Sequence, residues 1–272
     1  MNEKNDRILP ITRWVSIIVI PFLWVAFVIL YFFPDTTGRF FAWGIKPHMT
    51  AMYLGAGYLG GSWLFINAVI QKRWHRIQGG FLPITVFTWF MLIATIVYWD
   101  RFAHGNISFW IWLILYVVSP FLVPVLWWLN RKTDPKTPEV NDVIIAKPVL
   151  WGLKIVAAGT LIFVLVGLVN PNFIIQVWPW QLSPLTALIM CGWIMLLVVG
   201  AFVMSFEPRW SAWKVPLVSI LIWHILVLIA ALMNVADFPN GLANWYIISV
   251  ALMVIGISAL YVVMEMRRRK ER

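Results

Sequence analysis

The sequence predicts an all-α integral membrane protein with eight transmembrane helices, arranged as two tandem four-helix repeats with both termini in the cytoplasm. Three observations lead to this fold class: an apolar composition, apolar runs of membrane-spanning length, and a one-sided distribution of basic residues. Of 272 residues, 62% are hydrophobic and 12% are charged, whereas a soluble domain has roughly 45–50% apolar and about 25% charged residues. This composition excludes a disordered chain, and the single cysteine excludes a disulfide scaffold. The net charge of +10 comes with too little polar surface for a nucleic-acid binder.

Eight apolar runs, separated by short polar breaks or by breaks marked with proline and glycine, are each long enough to cross a bilayer. A hydrocarbon core of about 30 Å requires about 20 residues of α-helix. The runs cover residues 14–33, 47–70, 81–99, 107–129, 149–169, 184–206, 215–233 and 244–264. The first run is longer than the apolar region of a secretory signal, and no small-residue cleavage site follows it. We therefore expect it to remain as a transmembrane helix.

The basic residues predict the orientation. When alternate loops are assigned to opposite sides of the membrane, seventeen of the 21 Lys and Arg residues fall on one side. The other side has Arg39, Lys46 and Arg101, while Lys154 lies about one turn inside the fifth run, from which its side chain can reach the basic side. The positive-inside rule therefore predicts cytoplasmic termini. The basic run at 267–270 is interpreted mainly as a topology signal, with contact to anionic lipid as the alternative.

Nineteen tryptophans are present, and most of them fall at predicted helix ends. Aromatic side chains at these depths form belts at the two membrane interfaces. The predicted cytoplasmic belt contains Trp14, Trp74, Trp127, Trp128, Trp151, Trp210 and Trp213, and the outer belt contains Trp43, Trp99, Trp110, Trp178, Trp180 and Trp245. Five tryptophans lie deeper, where an indole N–H requires a partner: Trp24, Trp63, Trp89, Trp193 and Trp223.

The second half of the chain repeats landmarks of the first half at a separation of 136 or 137 residues. The matched landmarks are Pro34 with Pro171, Trp43 with Trp180, Pro47 with Pro184, Arg73-Trp74 with Arg209-Trp210, and Asp100 with Asp237. They fall at equivalent loops and helix ends, which chance hydrophobic similarity would not align. The predicted domains are a first four-helix repeat at 1–130, an exposed cytoplasmic linker at 131–148, and a second four-helix repeat with a basic tail at 149–272. Because four is an even number, both repeats insert in the same direction.

The second run carries the most specific patterns of the chain. Gly57 and Gly61 form a G-x-x-x-G pattern, which lets another helix approach closely and predicts a central position for this helix. The segments FAWGIKPHMTA at 41–51, LGAGY at 54–58 and WDRF at 99–102 resemble an uncharacterised family of bacterial multi-pass membrane proteins. The resemblance covers mainly the first four helices. It implies a bacterial inner-membrane location, and it brings neither an activity nor a functional residue.

Ionisable residues in a membrane are costly, so each of them is a functional-site hypothesis. His224, near the middle of the seventh run, is the strongest candidate for a ligand or proton site. The alternative is a neutral histidine that is hydrogen-bonded to a neighbouring helix. At the outer face Asp100, Arg101, Asp237 and His48 form a candidate site for a cation, a carboxylate or a lipid headgroup. The alternative there is helix capping together with an interfacial ion pair.

Two classes of function remain open. The first is a membrane protein that binds or translocates a small ligand or ion in the bundle interior. The second is a structural or accessory subunit that packs against a partner protein, a second copy or lipid. A polar cavity that reaches His224 would favour the first class, and a dry core would favour the second.

An enzyme ranks third, because the sequence has no Ser/His/Asp arrangement, zinc-ligand spacing, phosphate-binding glycine loop or CxxC pair. Haem requires axial ligands, and His224 is the only deep histidine. Haem and quinone are therefore minor alternatives, and the sequence identifies no cofactor.

Overall fold

The computed structural model describes residues 5–239 and 241–270, and this part of the chain contains eight long helices. They are α1 (Pro10–Phe32), α2 (His48–Ile70), α3 (Phe81–Val97), α4 (Ile107–Asn130), α5 (Lys147–Val169), α6 (Pro184–Met204), α7 (Trp210–Met233) and α8 (Leu242–Lys270). Short helices at Thr37–Phe40 and Pro171–Val177 lie in two of the connections. All eight long helices are long and apolar enough to span a bilayer. The predictions of an all-α protein and of eight candidate transmembrane helices are confirmed.

Two helices extend well beyond the apolar runs that predicted them. α7 begins at Trp210 instead of residue 215, and α8 continues to Lys270 instead of ending at 264. A hydropathy pattern reports only the part of a helix that suits a hydrocarbon environment. Backbone hydrogen bonding continues through the basic residues at these ends, since Lys and Arg are good helix formers.

The eight helices form two interlocked rows. In one row α1 packs on α2, α2 on α7, and α7 on α8; in the other row α5 packs on α6, α6 on α3, and α3 on α4. α2 and α7 come from different halves of the chain, and so do α6 and α3. The two halves are therefore packed through each other and do not form two separate bundles.

Aromatic side chains fill the centre of the bundle. The ring of Trp193 on α6 lies 4.5 Å from that of Phe87 on α3 and 4.9 Å from that of Trp223 on α7, measured between ring centroids. The hydroxyl groups of Tyr58 and Tyr116 form a hydrogen bond of 3.0 Å beside this cluster. Such tilted and edge-to-face aromatic contacts stabilise a core beyond simple burial.

Glycines allow α2 to approach its neighbours closely. A Cβ added at Gly57 would overlap the ring of Trp193, and one added at Gly60 would lie 2.7 Å from the carbonyl oxygen of Ser219 on α7. Gly61, the second glycine of the predicted pattern, faces open space. The close contacts thus use Gly57 and Gly60. As expected for the central helix, α2 is the most buried of the eight, whereas α1, α5 and α8 are the least buried.

The predicted aromatic belts are only partly correct. Five of the assigned tryptophans are buried: Trp43, Trp74, Trp180, Trp210 and Trp213. These side chains fill space between loops and helix ends, and the indole N–H of Trp180 donates to the Thr50 hydroxyl at 2.7 Å. Trp14, Trp151 and Trp245 are exposed, as a belt requires.

Substitution of Gly57 by alanine is expected to destabilise the protein by about 1–3 kcal/mol, because the new methyl group must displace the buried Trp193 ring. The matched variant Gly61→Ala should change stability by less than about 0.5 kcal/mol, since its Cβ meets no neighbour. Unfolding in detergent micelles with increasing sodium dodecyl sulfate measures both. Equal effects of the two substitutions would contradict the close contact at Gly57.

Candidate functional site

Five segments of the chain meet at one end of the bundle, which we call the basic end. It comprises the N-terminal segment from residue 5, the loops after α2, α4 and α6, and the last turns of α8. The N–H of Trp74 donates to the Asp6 carbonyl at 2.7 Å, and the N–H of Asp6 donates to the Thr133 carbonyl at 2.8 Å. The guanidinium of Arg268 donates to the Glu139 carboxylate at 3.1 Å. The two ends of the described chain therefore lie at the same end of the bundle.

One set of hydrogen bonds occurs twice at the basic end. The N–H of His75 donates to Asp6 Oδ1, and the N–H of Ser211 donates to Asp142 Oδ1, both at 3.0 Å. The second carboxylate oxygen of Asp6 accepts from the His75 ring, and that of Asp142 accepts from the Ser211 hydroxyl, both at 2.5 Å. His75 and Ser211 are separated by 136 residues, and Asp6 and Asp142 have the same separation.

His75 connects these two sets. Its Nε2 lies 2.9 Å from the Ser211 hydroxyl oxygen and 3.1 Å from Glu139 Oε1. The Ser211 hydroxyl already donates to Asp142, and a carboxylate only accepts, so both ring nitrogens of His75 must donate. With Asp6, Glu139 and Asp142 ionised, the buried ring is an imidazolium. We call Asp6, His75, Glu139, Asp142 and Ser211 the His75 cluster.

The pKa of His75 follows from the same contacts. Burial alone lowers the pKa of this ring, but the hydrogen bonds to Asp6 and Glu139 outweigh burial and raise the pKa above the ordinary value of 6.5. The two carboxylates therefore maintain the charged form that the geometry requires.

Glu139 of the linker is the second charged centre of the basic end. Its two oxygens accept from Arg76 Nε and Nη2 at 2.6 and 2.7 Å, and Arg268 and Arg73 lie at 3.1 and 3.5 Å. Burial raises the pKa of this carboxyl, but the hydrogen bonds from His75 and Arg76 outweigh burial and hold the pKa well below its usual range. Glu139 thus fixes the linker to segments from both halves of the chain.

Arg209 holds the other part of the linker. Its two terminal nitrogens each lie 2.9 Å from an oxygen of Asp134 in a bidentate pair, and it also donates to Glu207. Asp134, Val143 and Ile145 are buried. This part of the linker therefore packs against the basic end, whereas the sequence predicted a solvent-exposed connection.

Two cavities lie at the basic end. The first, of about 160 Å³, is lined by Trp63, Asn67, Gln71, Arg76, Ser211, Lys214, Val215, Val218, Tyr261 and Arg268. The second, of about 350 Å³, lies between α3, α4, α6 and the linker. Five pairs of lining residues are separated by 136 positions: Asn67 with Val203, Gln71 with Glu207, Gln78 with Lys214, Gly79 with Val215, and Leu82 with Val218.

The two cavities differ in charge. The first is lined by three cationic side chains, Arg76, Lys214 and Arg268, and by no carboxylate. The second is lined by two cations and by the carboxylates Asp134 and Glu207, both of which are bound to Arg209. Only the first cavity therefore has cations without carboxylates in its wall.

His224 lies inside the bundle but not at a polar site. Its side chain is buried, and Nδ1–H donates to the carbonyl of Ile220 on its own helix at 2.8 Å. It does not line either cavity at the basic end. This hydrogen bond satisfies Nδ1 within α7 itself, whereas the sequence predicted a partner on a neighbouring helix.

The predicted outer residues are only partly brought together. His48 Nε2 lies 2.7 Å from the exposed Asp35 carboxylate, and Asp237 Oδ2 accepts from the N–H of Met49 at 2.8 Å, so both contacts lie at the first turn of α2. Asp100 and Arg101 are exposed. Neither forms a side-chain hydrogen bond or ion pair within residues 5–239 and 241–270.

Asp100 and Asp237 each lie in a short 3-10 helix, Trp99–Arg101 and Val235–Asp237 respectively. Asp237 contacts the first turn of α2, whereas Asp100 is exposed. The equivalence of these two acidic residues stays a prediction.

Sequence reasoning missed Asp6, His75 and Glu139. The signal for the first two was present, because Asp6 with Asp142 and His75 with Ser211 share the separation of 136 and lie beside matched landmarks. Glu139 has no such signal, since its role arises from cations of two separate segments, the loop after α2 and the end of α8.

In the part of the chain that the structure describes, no group of three or more His, Cys, Asp or Glu residues is arranged to hold a metal ion. No protein-family model, curated protein or solved structure matches the chain. The geometry of the basic end is therefore the basis for any functional proposal.

The stability of the protein is expected to fall as the pH rises above about 6.5 through the raised pKa of His75. The sign follows from linkage: a raised pKa stabilises the fold fully below the unfolded pKa, and this contribution is lost when the folded ring deprotonates. Thermal unfolding of the detergent-solubilised protein between about pH 6 and pH 9 measures the slope. His75→Gln should remove it, whereas His48→Gln, which alters an exposed pair, should retain it. An unchanged slope in His75→Gln would refute the charged cluster.

Proposed function

We propose that this chain is a bacterial inner-membrane protein built from two tandem four-helix repeats, and that it binds a small polar ligand or ion where the repeats meet at the basic end. The site we propose is the first cavity, between α2 of the first half and α7 and α8 of the second. Binding of a small ligand or ion belongs to the first class of function that the sequence favours. The proposed site lies at the basic end, and not in the bundle interior around His224.

The repeat is supported by contacts at equal spacing. Isolated β-bridges join Arg7 to Arg73 and Ile144 to Arg209, in positions that differ by 137 and 136 residues. Each helix of one half has a counterpart four helices away in the other half, so that α1 corresponds to α5 and α2 to α6. When every helix is replaced by its counterpart, the packing order of one row becomes the packing order of the other row. The His75 to Ser211 hydrogen bond joins two matched positions, as expected for residues beside a two-fold pseudo-axis along the membrane normal.

The observation that carries the binding proposal is the wall of the first cavity. Three cationic side chains, Arg76, Lys214 and Arg268, line this cavity, and no carboxylate does. A concave space with a few convergent polar groups is a typical ligand site.

The distribution of charge supports an orientation with the basic end in the cytoplasm. A cytoplasmic reporter enzyme inserted at the exposed Asn141, or fused to the C-terminus, is expected to be active, and one inserted at the exposed Gly105 is expected to be inactive. A periplasmic reporter at the same three positions should give the opposite pattern. Activity of the cytoplasmic reporter at Gly105 would contradict this orientation.

A substitution that fills the first cavity should abolish ligand binding. Val218→Phe places a ring in the cavity, whereas Leu82→Phe makes the same type of change at the matched position of the second cavity. We expect a thermal-shift screen of small polar molecules to find a ligand that stabilises the unmodified protein and Leu82→Phe but not Val218→Phe. Native mass spectrometry checks that the ligand is bound.

Two results would count against the binding proposal. One is a screen without any ligand, and the other is an equal loss of binding in both variants. The accessory-subunit function would then be the better explanation.

A further inference from the structure

The wall of the first cavity determines which class of ligand fits it. Arg76, Lys214 and Arg268 approach it from the loop after α2, from α7 and from α8 respectively. The two carboxylates that pair with these cations, Glu139 and Glu265, do not line the cavity. A ligand in this space therefore meets positive charge from several directions and no carboxylate.

The charged side chains at this cavity are hydrogen-bond donors. The guanidinium groups of Arg76 and Arg268 can only donate, and the Lys214 ammonium has three N–H groups, of which the Glu265 carboxylate at 2.9 Å takes one. The amides of Asn67 and Gln71 are bonded to each other at 3.1 Å and offer less to a ligand. An acceptor-rich anion complements this set, while a cation or a pure donor does not.

We propose that the first cavity binds a phosphate group, either from the headgroup of an anionic lipid or from a free phosphate. This inference rests on the proposed binding function and specifies the ligand class of the same cavity. A phosphate directs its acceptor oxygens tetrahedrally, which suits donors from two helices and a loop. A carboxylate is planar and has only two oxygens. The volume of about 160 Å³ equals several water molecules, at about 30 Å³ each.

The matched cavity provides the internal comparison. At equivalent positions, Lys214 of the first cavity corresponds to Gln78 in the second, and Gln71 corresponds to Glu207. The second cavity therefore has one cation fewer and one carboxylate more at these two places. Its remaining guanidinium, Arg209, is already paired with two carboxylates. The cations of the first cavity are also paired, but their carboxylates, Glu139 and Glu265, lie outside its wall, whereas Asp134 and Glu207 lie within the wall of the second.

A location at the end of the helices also suits a lipid source. Basic pockets between transmembrane helices at the membrane interface bind acidic headgroups. The apolar part of the wall, from Trp63, Val215 and Val218, suits the glycerol region of a lipid. Within the run 267–270, Arg268 lines this cavity, whereas Arg267 and Arg269 are exposed.

The test uses the full chain in detergent and two probes. Native mass spectrometry with dioleoylphosphatidylglycerol, compared with dioleoylphosphatidylcholine, measures lipid binding. Thermal unfolding in sodium phosphate, compared with sodium chloride and sodium acetate at equal ionic strength, measures binding of free phosphate. We expect at least one phosphate probe to bind, and we expect chloride and acetate to leave the unfolding temperature unchanged. Binding of the lipid alone identifies a headgroup site, and binding of both identifies a general phosphate site.

Two variants copy the second cavity into the first. Lys214→Gln removes a cation and Gln71→Glu adds a carboxylate, and each should weaken binding of the phosphate probe by about tenfold or more. Lys136→Gln removes a cation from the second cavity and should leave binding unchanged. An unfolding temperature close to that of the unmodified protein shows that each variant is folded. If Lys214→Gln does not fold, Gln71→Glu decides the result.

Three outcomes would overturn the proposal. They are the absence of binding by both phosphate probes, equal stabilisation by acetate and phosphate, and equal weakening by Lys214→Gln and Lys136→Gln. If one of these occurs while the Val218→Phe screen still identifies a neutral or cationic ligand, the binding function stands and only the ligand class is wrong. If that screen also fails, both proposals fail.

Discussion

The buried imidazolium of His75 is the constraint on which the basic end depends. It donates to Asp6 of the N-terminal segment and to Ser211 at the start of α7, and its Nε2 lies 3.1 Å from Glu139 of the linker. These partners belong to three parts of the chain that are distant in sequence. An ionised group without partners in such a site would cost several kcal/mol, so all three segments must be in place for the charge to be tolerated. The His75 side chain thus makes the packing of the two halves depend on the position of the linker.

The His75 cluster also determines the charge of the first cavity. Glu139 accepts from Arg76 and Arg268 at a point outside the cavity wall, and the same two side chains line the cavity. The carboxylate therefore positions the guanidinium groups without occupying the space between them. A site built in this way is preorganised. Because the long arginine side chains are already ordered, ligand binding does not incur the entropy cost of ordering them.

Packing in the membrane follows a separate principle. Hydrocarbon gives no hydrophobic force between helices, so close contact and shape complementarity stabilise the bundle. Gly57 and Gly60 allow α2 to approach α6 and α7, and the large ring of Trp193 fills the space that the first glycine leaves. A glycine on one half thus complements a tryptophan on the other. These contacts join α2 of the first half to α6 and α7 of the second half.

The sequence by itself determined the fold class and the number of transmembrane helices, because these depend on the length and polarity of continuous segments. It also contained the separation of 136 residues that relates His75 to Ser211. Only the tertiary structure decided which polar residues meet. His224 was singled out by its depth, yet a carbonyl of its own helix satisfies it, whereas Glu139 was assigned to an exposed linker and is buried among cations. Depth along a helix can be read from one segment, but the partners of a charge come from segments that only folding brings together.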